Sequence, residues 1–251
     1  RPVPGGGAVL SKNRDLSGGH RNFQQVFLHV DAAAPGGAVL AVGTLGAPGV
    51  YSSGMNAAGL ALADTAIEAP RHQVGWLRYF LMTRVAFSCA TVEEACELIA
   101  RQRHAGGGSL ILADASGAVA TVELRAEGAV IDRQAPAFRT NHFLSEPLAD
   151  VRARQSEAAF RSTTGRFAAL ARRLSDGLGT GAEVAVRDAM SSHAASGHAG
   201  GENEGLCRHG VGDRSHTVSC TVYRTRNRTV EFAEGYPCEA EWRAFSLGGA
   251  A

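Results

Sequence analysis

Apolar residues come in short stretches along the first third of the chain, cut by glycine, asparagine and proline. Asn22–Val30, Gly37–Thr44, Gly49–Asn56 and Gly59–Ile67 are each brief and rich in β-favouring residues, which predicts strands. "MNAAG" at Met55–Gly59 separates two of them and reads as a hairpin turn. The period then changes. "GWLRYFLMTRVAF" (Gly75–Phe87) spaces its apolar residues for a helix. "TVEEACELIARQRH" opens with Thr91 and has Glu94 three residues on, a capping box that predicts a second helix. Alternation returns in "SLILADASGAVATVEL" (Ser109–Leu124), a hairpin turning at Ser116–Gly117. Gly128–Arg133 and Ala137–Asn141 read as further strands of the same sheet. A long helix is expected over Gln155–Leu174, with Phe160, Phe167, Leu170 and Leu174 along one side, and two strands over His216–Gly235 flank "RNR". Strands, helices, more strands, a helix and a final hairpin describe an α+β protein whose sheets are covered by helices. The sequence has no internal repeats, and the Gly-rich Gly197–Gly205 reads as a loop.

Composition narrows the function classes. The chain has 251 residues, 45% of them hydrophobic and 20% charged, with a formal net charge of +1. That is enough apolar material for a proper core, and it makes no electrostatic case for nucleic acid or an acidic membrane as partner. No apolar run approaches the roughly 20 residues that span a bilayer. Five cysteines, an odd number without a CxxC pair, do not suggest a disulfide framework. The setting these features predict is cytoplasmic, with reduced thiols.

Two stretches near the start stand out. "RPVPGGGAVL" reads as a turn running into a strand, which calls for a partner strand ahead of it. "KNRD" (Lys12–Asp15) then puts two cations, an amide and a carboxylate at the end of that strand. A solvated turn is one reading of it; a site is the other.

The second reading gains from the rest of the chain. "SKNRDL", "YSSGMNAAGLALADT", "RTNHFL", "STTGRF", "GLCRHG" and "AEGYPCEAEW" follow one another in an order that resembles the acyl-CoA:6-aminopenicillanic-acid acyltransferase family. These are N-terminal-nucleophile hydrolases related to conjugated bile-salt hydrolases and penicillin V acylases. Each motif is weak alone; six in order, over essentially the whole chain, are specific. The resemblance implies an αββα sandwich, a single domain over residues 1–251, and an amide hydrolase or acyltransferase working through an acyl-thioester on an N-terminal cysteine freed by self-cleavage. The cysteine is expected on a short strand, roughly a dozen residues on hairpin geometry, ahead of Arg1. Its α-amino group, with a reference pKa of about 8, would be the base. Implied substrates are small-molecule amides or acyl donors, with the cleaved pro-segment or a second copy of the chain as possible partners and no cofactor or metal in the chemistry.

The family's site residues carry over position by position. Asp15 matches the carboxylate that orients the N-terminal amine. Lys12 stands where bile-salt hydrolases carry an arginine, keeping the charge without the bidentate fork. Arg14 reads as a pocket or surface charge. Asn141 matches the oxyanion asparagine; the alternative is a turn cap. Asp64–Thr65 falls where relatives carry a further oxyanion asparagine, leaving Thr65 as the available donor. Arg166 matches an arginine near the nucleophile; an exposed helix arginine is the alternative. Glu68–Val74 and His142–Asp150 are expected pocket loops. Trp76, Tyr79 and Phe143 hint at an apolar acyl pocket, although the first two also suit helix packing.

Among the cysteines, Cys89, Cys96 and Cys220 read as small core residues and Cys238 as a structural loop residue. Cys207, two positions before His209, matches a family "CRH" that does not supply the nucleophile. Two other classes stay open: a non-catalytic binding homologue, and a zinc site on His193, His198, Cys207 and His209, whose spacing fits no standard finger.

Overall fold

The computed structural model describes residues 1–3, 5–47, 49–147, 150–151, 154–175, 181–193, 205–210 and 215–248. Their strands are β1 (Val9–Leu16), β2 (Gln24–Val30), β3 (Ala38–Thr44), β4 (Ser53–Asn56), β5 (Ala61–Thr65), β6 (Ser109–Ala113), β7 (Val119–Arg125), β8 (Gly128–Asp132), β9 (His216–Arg224), β10 (Thr229–Glu234) and β11 (Trp242–Ser246). The helices are α1 (Arg78–Ser88), α2 (Val92–Ala100), α3 (Glu157–Ser175) and α4 (Ala182–Met190). One sheet has the order β1-β9-β10-β11 and the other β2-β3-β4-β5-β6-β7-β8; every pairing is antiparallel.

The period-2 alternation of the strands sorts their side chains into three apolar layers. In β3, Ala38, Leu40 and Val42 face the other sheet, whereas Val39 and Ala41 face α1 and α2. β3 is therefore apolar on both sides, as a strand between two covered faces must be. Leu10, Tyr223 and Phe232 meet Leu40, Met55 and Ala63 between the sheets. Leu81, Val85, Cys96 and Ile99 cover the outer face of the larger sheet. Leu170 and Leu174 of α3 and Val186 of α4 cover Val9 and Val222 of the smaller one. The layer order is α, β, β, α, the sandwich expected from the sequence. The Tyr223 hydroxyl donates to Ser53 Oγ at 2.7 Å, a polar tie across the middle of the apolar layer.

The hairpins at Met55–Gly59 and Ser116–Gly117 form as read, and so does the capping box. Thr91 Oγ1 accepts from the Glu94 amide, and the Glu94 carboxylate reaches back to the Ala90 amide. One expected strand does not form. Residues 137–141 leave the sheet after β8, because Pro136 has no N–H to offer a ladder and Arg139 turns in to bond Thr121 Oγ1. Two elements were not anticipated, α4 and β11.

Asp114 joins the two halves of the larger layer. From the end of β6 its carboxylate accepts from the amides of Ser116 and Ala118 in the hairpin and from the Val92 amide at the first turn of α2, at 2.8–3.2 Å. It is buried. Asp114→Ala strands these donors and is expected to cost about 2–3 kcal/mol of unfolding free energy. Urea denaturation reads this as a lower midpoint at constant slope; a loss under about 0.5 kcal/mol would show that water replaces the carboxylate at no cost.

Candidate active site

Between the sheets, at the end of β1, lies a cavity of about 330 Å³. β1 enters the core with Val9 and Leu10 and then carries Lys12, Asn13, Arg14 and Asp15 along the cavity. Pairing with β9 runs evenly from Val9↔Arg224 to Arg14↔Ser219, then slips so that Asp15 stands opposite Thr217. The extra residue is Val218 of β9, and a bulge there distorts the ladder and re-aims the side chains beyond it. Asp15 Oδ1 accepts from Thr217 Oγ1 at 2.8 Å, and its other oxygen is 3.9 Å from the Arg208 guanidinium. Asn13 points to the helix side and donates to the carbonyls of Met190 and Leu206, fastening β1 to α4 and to the segment before β9.

The residues singled out from the sequence converge here. Lys12, Asp15, Thr65, Asn141 and Arg166 all line the cavity. Arg166 reaches in from α3 and donates from Nη2 to Asn141 Oδ1 at 2.9 Å. The Asn141 amide nitrogen donates to the Ala66 carbonyl at 2.7 Å. With the oxygen and one N–H engaged, the orientation of the amide is fixed and its second N–H is left for the cavity. Lys12 Nζ donates to the Asn13 carbonyl and lies 4.0 Å from Asp64 Oδ1. Burial lowers the Lys12 pKa from the usual lysine range; the carboxylates of Asp64 and Asp15 oppose that shift, while Arg14 and Arg78 add to it. Burial likewise lowers Arg166, with Asp15 acting in the opposite direction. Arg14 is a cavity residue, bonded to Gln24 Oε1 and set over the Tyr51 ring.

Some expectations about the walls fail. Neither Glu68–Val74 nor the described part of His142–Asp150 lines the cavity, and Phe143 is buried elsewhere in the core. Trp76 packs with the α1–α2 layer, and Arg84 sits over its ring. Tyr79 alone of the three aromatics reaches the cavity, its ring 5.1 Å from that of Tyr51.

Arg78 is the residue that sequence reasoning missed. It opens α1, bonds Asp64 Oδ2 at 2.6 Å and lines the cavity. A cation in a first helical turn opposes the helix dipole, and the first turn of α1 contains no acidic residue. That mismatch was the available signal for a carboxylate partner elsewhere.

None of the described cysteines lines the cavity. Burial pushes the Cys89 thiol up to about 11 and Cys220 to about 12, and raises Cys96 and Cys207 as well. Such thiols carry little thiolate at neutral pH. Of the four residues weighed as a metal set, His198 lies outside the described residues. His193, Cys207 and His209 gather with Cys238, and none of these four lines the cavity.

A model of the acyl-coenzyme A:6-aminopenicillanic acid acyl-transferase family matches residues 4–239. The chain belongs to that family. Its membership puts it among acyl-transferring enzymes, the class that the motif order anticipates. No curated protein sequence matches at a significant level. Among solved structures, the family member shares its fold with a conjugated bile acid hydrolase from Clostridium perfringens (TM-score 0.59, 12% identity, 95% of this chain and 88% of the other). It is also similar to penicillin V acylase from Agrobacterium tumefaciens (TM-score 0.59, 17% identity, 97% and 84%). A third likeness is to the Caenorhabditis elegans orthologue of N-acylethanolamine-hydrolyzing acid amidase (TM-score 0.54, 12% identity, 96% and 99%). The fold is that of the N-terminal-nucleophile hydrolases. No described helix is long and apolar enough to cross a membrane.

Asp64 serves two cations at once, so its loss is the sharpest test of the site's electrostatics. Asp64→Ala is expected to cost about 2–4 kcal/mol, because Lys12 and Arg78 are left largely desolvated without their shared carboxylate. Adding Arg78→Met should recover part of that loss. A double-mutant cycle in urea checks it, and additive losses would mean that the pair contributes no coupling.

Proposed function

We propose that this family member is an amide hydrolase or acyltransferase whose nucleophile is an N-terminal cysteine on a strand that precedes Arg1. The observation that carries the reading is the convergence of Lys12, Asp15, Asn141 and Arg166 on one cavity beside the free side of β1. Among the described residues β1 is an edge strand: past its pairing with Arg1 and Pro2 it has β9 on one side only. Pro2 bridges Ala8 and Arg1 bonds Val9 in both directions, so the chain is already folding back along that edge. Continued in the same register, a residue about three positions ahead of Arg1 would stand abreast of Lys12, and one about six ahead abreast of Asp15. This favours a nucleophile nearer to Arg1 than the dozen residues of a generic hairpin. None of the five cysteines lines the cavity, and burial raises the thiols of Cys89, Cys96 and Cys220, which supports the same reading.

The chemistry follows from the charges. The free α-amino group takes the thiol proton, and Asp15 accepts a hydrogen bond from the resulting ammonium and orients it. Lys12, short of a full ion pair, favours the thiolate by its charge. Sulfur bonds to the amide carbon, and the oxygen that becomes negative receives the second N–H of Asn141, with Thr65 as the further donor. Arg166 acts through Asn141 by holding its oxygen. When the C–N bond breaks, the ammonium returns its proton to the departing amine, leaving a thioester. Water then gives hydrolysis and an amine gives acyl transfer. Tyr51, Tyr79, Ile111 and Leu170 offer an apolar wall for the acyl group. Lys12, Arg14, Arg78, Arg139 and Arg166 outnumber Asp15 and Asp64 on the lining, a balance suited to an anionic group on the rest of the substrate.

The product of the full open reading frame tests this. Brief treatment with iodoacetamide should alkylate one peptide at the mature N-terminus and abolish amidase activity in proportion. Label on Cys207 with loss of activity, or a mature N-terminus without cysteine in an active enzyme, would overturn the mechanism. Asn141→Ala should slow acyl-enzyme formation by about two to three orders of magnitude in single-turnover experiments with little change in substrate affinity. An effect confined to affinity would reduce Asn141 to a substrate anchor.

A further inference from the structure

Away from the cavity, four metal-ligating side chains converge from three separate segments. His193 follows the end of α4, Cys207 and His209 lie in the segment leading to β9, and Cys238 sits in the turn between β10 and β11. The contacts are His193 Nε2 to Cys238 Sγ, 3.3 Å; His209 Nε2 to Cys238 Sγ, 3.2 Å; Cys207 Sγ to His209 Nε2, 3.6 Å; and Cys207 Sγ to Cys238 Sγ, 3.5 Å. All four ligand atoms lie within 4.8 Å of one another. We propose that His193, Cys207, His209 and Cys238 form a structural zinc site that braces the outer wall of the cavity.

The spacing argues for an ion at the centre. Tetrahedral zinc with Zn–S of about 2.3 Å and Zn–N of about 2.0–2.1 Å sets its ligand atoms about 3.3–3.8 Å apart along the edges. The four contacts fall at or next to that range. A disulfide is a poor account of the same cluster: the two sulfurs are 3.5 Å apart, against the roughly 2.05 Å of a bond, and a disulfide gives the two imidazoles no reason to aim Nε2 at the thiols. Two thiolates and two imidazoles are a zinc donor set, and four protein ligands close the coordination sphere, as in structural rather than catalytic zinc sites. The surroundings fit as well. His209 Nδ1, the nitrogen facing away from the cluster, lies 3.8 Å from the Glu239 carboxylate, a negative charge beside a ligand of the cation. The His209 ring is stacked on Tyr236 at 3.8 Å, which fixes its plane. The amides of Leu206 and Cys207 both donate to the Ser192 carbonyl, so two of the three segments are already in register.

The position gives the ion a task. Next to its ligands, Leu206 and Met190 supply the carbonyls that hold Asn13, and Arg208 faces Asp15. A zinc ion joining α4, the pre-β9 segment and the β10–β11 turn would therefore hold in place the groups that hold β1. The site escapes sequence motifs because its ligands are spread over three elements, with one Cys-x-His pair and no short Cys-x-x-Cys knuckle.

Metal analysis of the untagged full-length protein, expressed without added zinc, should find about one zinc per chain. A mercurial thiol reagent should release it as two cysteines react. Replacing zinc with cobalt should give the intense visible bands of tetrahedral cobalt with thiolate-to-metal charge transfer. Cys238→Ser should lose most of the metal and lower the melting temperature, and Cys89→Ala, a core cysteine away from the cluster, should keep its metal. Zinc-free protein that takes up no cobalt, or a wild-type cobalt spectrum without thiolate bands, overturns the proposal. A Cys207–Cys238 disulfide in the purified protein overturns it too. The cobalt spectrum needs no variant, so the proposal stays open to refutation even if Cys238→Ser fails to fold.

Discussion

Charged side chains can stand between two packed sheets only when each is met by a partner delivered from another element. The end of β1 is built to that constraint. Lys12 is met by Asp64 from β5, which is in turn held by Arg78 at the start of α1. Asp15 is met by Thr217 from β9 and Arg208 from the segment before it. Arg166 from α3 is met by Asn141, which is tied to the carbonyl of Ala66. Strands of both sheets and a helix from each outer layer thus end on the same few charges. The sandwich cannot close without assembling the cavity, and the cavity cannot keep its charges unless the sandwich is closed.

What was legible in the sequence was what local rules determine. Thr91 with Glu94 announces a helix start because those two residues satisfy amides within one turn. Ser116–Gly117 announces a hairpin because the turn needs a positive φ, which Gly117 supplies at 97°. The stretch Lys12–Asp15 was conspicuous because polar groups at the end of an apolar strand need an explanation. The misses have a common cause. Arg78 makes sense only through Asp64, fourteen residues away and on a different element. Residues 137–141 look like a strand, but they are drawn out of the sheet by what Arg139 and Asn141 bind. Cys238 reads as a structural loop residue, and only the fold brings its turn beside His193 and His209. Each of these depends on contacts that no window along the chain contains.

The same distinction explains why the fold is shared with proteins only 12–17% identical. A strand such as β3 asks only for apolar residues on both faces, and many sequences meet that. The arrangement of layers survives such drift because volume and alternation, rather than identity, are what the sandwich requires.

The alternation along β1 has a consequence for how this protein can vary. Successive side chains of a strand point to opposite faces, so one residue inserted or deleted between Leu10 and Lys12 would turn every side chain beyond it to the other side. The carbonyls of Met190 and Leu206 would lose Asn13 as their donor, and Lys12 would be carried away from Asp64. A substitution here alters one group, whereas a change of length alters them all. The strand can drift in composition but not in length.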